Sequence, residues 1–377
     1  MKIIADDNMP LVEQFFAPLG QIQRVAGRTL SAKALKDADL LLVRSITKVN
    51  AALLADAKQL KFVGTATIGT DHLDTAFLDE QAIPWTNAAG CNAQSVVEYV
   101  LSCLFLEAER RQCALCSLRI GVVGVGQIGS RLVKALLALG VDVLMCDPPR
   151  AAHDANFAHT PLPVLLQSVD VISLHVPLIK RQHAPQATTE HLIDASILAQ
   201  LPVSTTLINA CRGEVVDNHA LLAEQRAGRA RALYLDVWEH EPTPLLALVP
   251  YCQIATAHIA GHSIEGKARG TEMLYQAVCQ QLGLPVQACL ADFLPKAAMP
   301  AVTLSDAFSP LELANLCRML FDVRRDDRLF RQHIEHEGFD WLRKHYPARR
   351  EFSAVTLQGQ VPPYLIELGF QAEATKG

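Results

Sequence analysis

The chain has little charge and no strong excess of either sign. Asp, Glu, Lys and Arg make up 19% of its 377 residues, and the formal net charge is −5. Without a basic excess, nothing points to nucleic acid or an anionic membrane as a partner. Long apolar runs are missing too. No uncharged stretch reaches the ~18 residues that a membrane-spanning helix needs. The opening MKIIADDNMP meets two acids too early for a secretory leader, so a cytoplasmic protein is expected. Regular cysteine spacing is also absent. The 10 cysteines are scattered, which suits reduced core thiols better than a disulfide framework. One close pair, Cys113-x-x-Cys116, has no second pair or histidine cluster to complete a metal set, and no metal is expected. Hydrophobic residues, by contrast, are plentiful at 50%. That is enough for large cores in two or three domains.

The most informative stretch is 119–147, RIGVVGVGQIGSRLVKALLALGVDVLMCD. A short β-prone run, 120–123, leads straight into Gly124-x-Gly126-x-x-Gly129. A helical pattern then runs to Gly140, and a second apolar run, 141–146, ends at Asp147. Glycines in an ordinary turn carry little meaning. Set between strand and helix, with a carboxylate at the end of the next strand, they form a dinucleotide fingerprint. The glycines permit a tight turn and close backbone approach, so a pyrophosphate can rest on the helix N-terminus. The Asp147 carboxylate can bond the ribose hydroxyls of NAD. A 2′-phosphate there would meet like-charge repulsion of about 4 kcal/mol at about 4 Å and an effective dielectric of about 20. Arg150 follows closely and softens that exclusion, so NAD is favoured over NADP.

On either side, short strands and helices alternate, which argues for parallel sheets of α/β type. Before the fingerprint the expected strands are 2–5, 40–43 and one beginning at Phe62. Helices are expected over 9–18 and from Asn92 to about Arg110, with Asp71 a candidate cap for the helix after Thr67. After it, strands are expected at 169–175, 206–209, 232–236 and 254–257, with helices near 192–201 and 221–226. A long helix then covers 265–282. The remainder, from about 288, opens a helix on the capping box Ser309-Pro310-Leu311-Glu312. It continues through a charged stretch, 324–331, a helix around 339–345 and a candidate strand at 355–357.

Ligands of such sheets bind beyond the carboxyl ends of the strands. Three chemically capable residues fall there: Arg212 after the strand ending at Asn209, Glu241 after the strand at 232–236, and His258 directly after 254–257. Each suits hydride transfer between an alcohol and a carbonyl. Arg212 can grip a substrate carboxylate through two parallel hydrogen bonds. His258 can take the hydroxyl proton, since an imidazole titrates near ~6.5 in water. Glu241 can fix its tautomer and favour its charged form. At strand ends earlier in the chain, Arg44, Ser45 and Thr67 together suit an anionic group.

The Gly triplet, Leu174-His175-Val176-Pro177-Leu178, Asn209-Ala210-Cys211-Arg212-Gly213 and the Arg/Glu/His set resemble the D-isomer-specific 2-hydroxyacid dehydrogenases over residues 1 to about 285. The resemblance implies two doubly wound Rossmann-like domains with a cleft between them, plus a small α+β C-terminal domain. The divisions would be a substrate domain at 1–97, completed by the helix over about 264–285, an NAD-binding domain at 98–263, and a C-terminal dimerisation domain at 288–377. Narrower strings, among them Asp147-Pro148-Pro149-Arg150 and Glu265-Gly266-Lys267-Ala268-Arg269-Gly270-Thr271, match a branch acting on a small phosphorylated hydroxy acid as a homodimer. Carried over by position, Arg212 and Glu241 belong to the active site and His258 is the proton donor. Gly124, Gly126, Gln127, Ile128, Gly129, Asp147, Val176, Ala210, Cys211, Arg212, Asp236 and Gly261 would line NAD. Ser45, Thr67 and His262 would touch substrate. The chain departs from the branch at His262, where Tyr is common, at Val176, where Thr is common, and in the composition of the loop 180–189. Two other readings stay open: a sister enzyme acting on another 2-hydroxy acid such as 3-phosphoglycerate, and a non-catalytic NAD-sensing scaffold.

Overall fold

Apolar runs that end in Asp, Asn or Gly, with helices carrying the chain back between them, pair in parallel. The computed structural model describes residues 1–184 and 186–373. Pro185, within the loop 180–189, and residues 374–377, at the end of the expected C-terminal domain, lie outside the described residues. The chain divides into two units. The first is Met1–Ala93 with His262–Lys296, and the second is Gln94–Gly261 with the residues from Ala297 on.

The first unit is built on β1 (Lys2–Asp6), β2 (Gln21–Val25), β3 (Leu40–Val43), β4 (Phe62–Thr65) and β5 (Trp85–Asn87), ordered β2-β1-β3-β4-β5. All pairs are parallel. Strands β3 and β4 are buried throughout, as a sheet covered on both faces requires. The helix Ile264–Leu282 packs on this sheet. Ser263 caps its start by accepting from the Gly266 N–H at 2.8 Å, and Gly283, at φ 66°, ends it. A Cβ at Gly270 would lie 2.9 Å from the Ala66 carbonyl oxygen, so the glycine lets this helix pass close to the end of β4. The helix after β4, Thr75–Glu80, is capped by Asp74 rather than Asp71: the Asp74 carboxylate accepts from the Phe77 N–H at 3.1 Å.

The second unit holds β6 (Arg119–Val123), β7 (Asp142–Cys146), β8 (Val171–Leu174), β9 (Thr206–Asn209), β10 (Leu233–Leu235) and β11 (Ile254–Ala255), ordered β11-β10-β9-β8-β6-β7. The chain leaves β6 for β7 on one side, then crosses to β8 and continues outward on the other. This reversal puts the switch point, where ligands of such sheets bind, at the carboxyl end of β6. The helix Ala93–Arg110 is tied to the sheet by the buried Glu107, which accepts from Arg110, Arg111, Thr206 and Tyr234. Burial pushes this carboxyl up, but the hydrogen bonds outweigh it and bring it to about 2.

Residues from Ala297 on add a parallel sheet of β12 (Ala301–Thr303), β13 (Thr356–Gln358) and β14 (Gln371–Ala372). The helix Pro310–Leu320 opens on the Ser309/Glu312 capping box, as the sequence predicts. The charged stretch is itself a helix, Val323–His333. Its Asp327 accepts from the Ala255 N–H at 2.8 Å, so it covers β11 at the edge of the six-stranded sheet. Phe330 stacks on Trp238, with ring centroids 5.7 Å apart. Leu313, Leu316, Phe321 and Leu357 share one core with Val100, Leu101 and Leu104 of the helix Ala93–Arg110. All ten cysteines are free, and no described helix is long and apolar enough to cross a membrane.

Candidate active site

The glycine turn after β6 is fixed by contacts that only glycine tolerates. Gly124 has φ 88°, and a Cβ there would sit 2.6 Å from the His175 carbonyl carbon. A Cβ on Gly129 would lie 2.0 Å from the Gly124 oxygen. Gly126 differs: nothing stands within 4 Å of where its Cβ would be. No protein packing demands glycine there, whereas a pyrophosphate drawn close to the backbone would. Gln127 and Ile128 follow, directly before the helix Gly129–Ala138. Asp147, at the end of β7, is set by two backbone donors: Oδ2 accepts from the Val125 N–H at 2.8 Å and Oδ1 from the Arg150 N–H at 2.9 Å. Arg150 donates back to the Val125 carbonyl at 3.2 Å and lies over the Phe157 ring. The Asp147 carboxylate and the glycine turn are therefore one braced assembly, and these residues fit a dinucleotide.

At β8, Val176 follows His175. Burial pulls the His175 imidazole down to about 4, so it is neutral near pH 7; its Nε2 is hydrogen-bonded to Ser173 at 2.8 Å. At β9, Asn209 shapes the next turn, accepting from the Cys211 N–H and donating to the Arg212 carbonyl. Ala210 and Cys211 are buried, and Arg212 is left partly exposed beyond them. A Cβ at Gly213 would come within 1.9 Å of the Trp238 carbonyl, so only glycine lets the Arg212 turn lie against the turn after β10.

That second turn carries Glu241. Its Oε1 accepts from the Trp238 N–H at 3.0 Å, and its Oε2 is hydrogen-bonded to His258 Nδ1 at 2.7 Å. Burial would raise the Glu241 carboxyl, but the charge and hydrogen bond of His258 outweigh it and hold the group below the usual carboxylate range. His258 stands at φ 55°. This left-handed conformation costs a non-glycine residue ~1–3 kcal/mol and persists only where neighbours over-determine it. Asp236 supplies much of that restraint. Its carbonyl accepts from the His258 N–H at 2.7 Å, its Oδ1 from the Ile259 N–H at 2.7 Å and from Thr256, and its Oδ2 from the Ala260 N–H at 2.9 Å. Tyr99, buried in the helix Ala93–Arg110, is in turn hydrogen-bonded to Thr256.

The structure thus gathers Arg212, Glu241 and His258 beyond β9, β10 and β11, which are adjacent strands of one sheet. Asp236, expected beside the cofactor, is 1% exposed and points its carboxylate into the His258 turn. Gly261 ends this stretch of the second unit. In the first unit, Ser45 is exposed just after β3, and Thr67 follows the neighbouring β4. Thr67 donates to the Gly69 carbonyl and is linked through Thr65 to His72. His262 is buried. Among the described residues, His191, Asp217 and Glu239 bring possible metal ligands within 4.8 Å of one another. These atoms already have work: His191 is hydrogen-bonded to Glu239, and both carboxylates accept backbone N–H groups at the start of the helix Asn218–Arg226.

Comparison with known proteins agrees with this arrangement. Residues 106–260 match the family described as D-isomer specific 2-hydroxyacid dehydrogenase, NAD binding domain, and residues 293–368 match a domain of unknown function. The solved structures resembling this chain include a D-lactate dehydrogenase from Aquifex aeolicus complexed with NAD and lactic acid. That match has 24% identity and a TM-score of 0.61, covering 74% of this chain and 95% of that one. An NAD+-bound 3-phosphoglycerate dehydrogenase from Entamoeba histolytica, at 20% identity and TM-score 0.63, covers 75% of this chain and is itself covered at 95%. The site and the matched domain define the class, an NAD-dependent 2-hydroxyacid dehydrogenase. Curated relatives narrow it. An erythronate-4-phosphate dehydrogenase from Pseudoalteromonas translucida is 47% identical, over 98% of this chain and 99% of its own. One from Colwellia psychrerythraea is 49% identical, over 95% of each. The chain belongs to the erythronate-4-phosphate dehydrogenase family.

Proposed function

We propose that the chain oxidises 4-phospho-D-erythronate to (R)-3-hydroxy-2-oxo-4-phosphooxybutanoate with NAD, a step of pyridoxal 5′-phosphate (vitamin B6) biosynthesis. The observation that carries the chemistry is the His258–Glu241 pair at 2.7 Å, beyond β11 and β10, with β10 next to the β9 strand that presents Arg212. The name of the near-full-length relatives supports the choice of substrate. Bound NAD supplies the hydride acceptor. The remaining tasks fall to the chain. Arg212 holds the substrate carboxylate and polarises the carbonyl that forms as the alcohol is oxidised. Glu241 engages Nδ1 of His258, so Nε2 takes the hydroxyl proton as the hydride leaves, and Glu241 balances the imidazolium that forms. Asp236 holds the His258 turn. Asp147 selects the unphosphorylated ribose, while Arg150 is engaged with Val125 and Phe157. Gly124, Gly126, Gln127, Ile128, Gly129, Val176, Ala210, Cys211 and Gly261 form the rest of the cofactor wall, and Ser45, Thr67 and His262 receive the anionic substrate.

We further propose that the chain is a cytoplasmic homodimer, with its C-terminal segment as the dimerisation domain. Leu311 at 76% exposure, Met319 and Ile366 leave apolar side chains uncovered on that segment, which supports this reading. Sedimentation of the intact chain tests it, and a monomer at every concentration would overturn it. The substrate assignment is tested by measuring NADH formation from 4-phospho-D-erythronate and from 3-phosphoglycerate side by side. A higher kcat/KM for the former is expected, and a higher value for 3-phosphoglycerate would replace the assignment with the sister activity.

A further inference from the structure

The segment matched only as a domain of unknown function reaches the His258 turn. Arg349 is 2% exposed. Its Nη1 donates to the Ala260 carbonyl at 3.1 Å and its Nη2 to the Ser95 carbonyl at 2.7 Å. The guanidinium lies over the Phe321 ring, 3.5 Å from the centroid, and pairs with the buried Glu98 at 3.5 Å. Glu98 also accepts from the Phe352 N–H at 2.8 Å, and Ser95 donates its hydroxyl to the neighbouring Glu351. Burial pushes the Glu98 carboxyl up against the opposing pull of the Arg349 charge.

This buried polar cluster does more than join the C-terminal segment to the helix Ala93–Arg110. Asp236 fixes the His258 turn through its N–H groups; Arg349 fixes it from the other side, through a carbonyl two residues past His258. The planar fork of a guanidinium suits two acceptors held at set positions, which an ammonium cannot match. We propose that Arg349 is a positioning residue for His258, holding the left-handed turn so that the imidazole keeps its alignment with Glu241. The C-terminal segment then contributes to turnover in each chain, independently of assembly. The inference rests on the reading of His258 as the proton-transfer group.

The test compares two full-length variants, Glu98→Gln and the double variant Arg349→Met with Glu98→Gln. Glu98→Gln keeps an acceptor for the Phe352 N–H and leaves both carbonyl bonds of Arg349 in place, so kcat should stay near that of the parent chain. The double variant removes Arg349 and its paired carboxylate together, which costs less than removing the arginine alone. Relative to Glu98→Gln, the double variant should keep its NAD dissociation constant, lose at least ~10-fold in kcat and show a displaced acid limb of kcat/KM against pH, because small misplacement of a reacting group is costly. Equal kcat and superimposable pH profiles would overturn the proposal. If the double variant does not fold, Arg349→Lys decides, since it keeps the buried charge and loses the fork. Severalfold lower kcat with unchanged NAD affinity would support the proposal, and parental kcat would overturn it. Failure of the underlying reading is seen separately, as full turnover in His258→Ala.

Discussion

Replacing Glu241 by Gln removes the charge and one of the two acceptors of the residue hydrogen-bonded to His258. The amide keeps the volume, but its single oxygen cannot accept from both the Trp238 N–H and His258 Nδ1, so its NH2 group faces one of them. What disappears is the negative charge 2.7 Å from His258 Nδ1. The pair is partly open to solvent, with 21% of the Glu241 side chain and 32% of the His258 side chain exposed, which tempers its worth. A charge-assisted hydrogen bond contributes ~1.5–3 kcal/mol against ~0.5–1.5 for a neutral one, so the expected loss is about 1–2 kcal/mol. That converts to a fall of roughly 5- to 30-fold in kcat. The same loss falls on the imidazolium, so the acid limb of kcat/KM should move down by about one pH unit. Burial pushes Glu241 up, but His258 keeps it below the usual carboxylate range, so the parent carboxylate stays charged throughout that limb. Initial rates of NADH formation across pH measure both effects. Rates within about twofold of the parent and an unmoved limb would refute the role given to this pair.

Asp236→Asn should be as damaging although its carboxylate is buried away from the surface. An amide cannot accept on both sides, so the N–H of Ile259 or Ala260 would face another donor. A cost of ~1–3 kcal/mol is expected, seen as a lower melting temperature together with reduced kcat. Unchanged values of both would show that the left-handed His258 turn needs no such brace. His175 gives a pH prediction. Its folded-state pKa of about 4 lies below the unfolded value near ~6.5, so the stability it contributes is complete above ~6.5 and is lost as pH falls toward about 4, on the order of 3 kcal/mol. Denaturant unfolding of the parent and of His175→Gln should therefore diverge in pH slope across that window. Parallel slopes would mean that His175 is not held neutral by burial.

Much of the site was legible because its residues sit where simple patterns end. The apolar runs before Gly124, Arg212 and His258 are strands, and each hands over to a residue with chemistry at the ligand-binding edge of the sheet. The brace around His258 was hidden for a physical reason. Asp236 acts on backbone N–H groups of Ile259 and Ala260, which any sequence offers, and Arg349 acts on a carbonyl from a segment that looked like an appendage. Helix Val323–His333 was obscured by its own charges. Arg324, Arg325, Asp326, Asp327, Arg328 and Arg331 mask an apolar face of Val323 and Phe330 that appears only when Phe330 is seen against Trp238. The cap at Asp74 was missed because Asp71 and Asp74 offer the same side chain, and only the path of the backbone decides between them.

In the proposed reaction, one nitrogen of His258, set by Glu241 and the turn that Asp236 holds, moves the proton when the hydride is transferred. The most direct test is His258→Ala, read by turnover with 4-phospho-D-erythronate and by NAD binding on the same preparation. Loss of general acid–base catalysis predicts a fall in kcat of at least ~100-fold, with the NAD dissociation constant unchanged. Parental turnover in that variant would contradict the account.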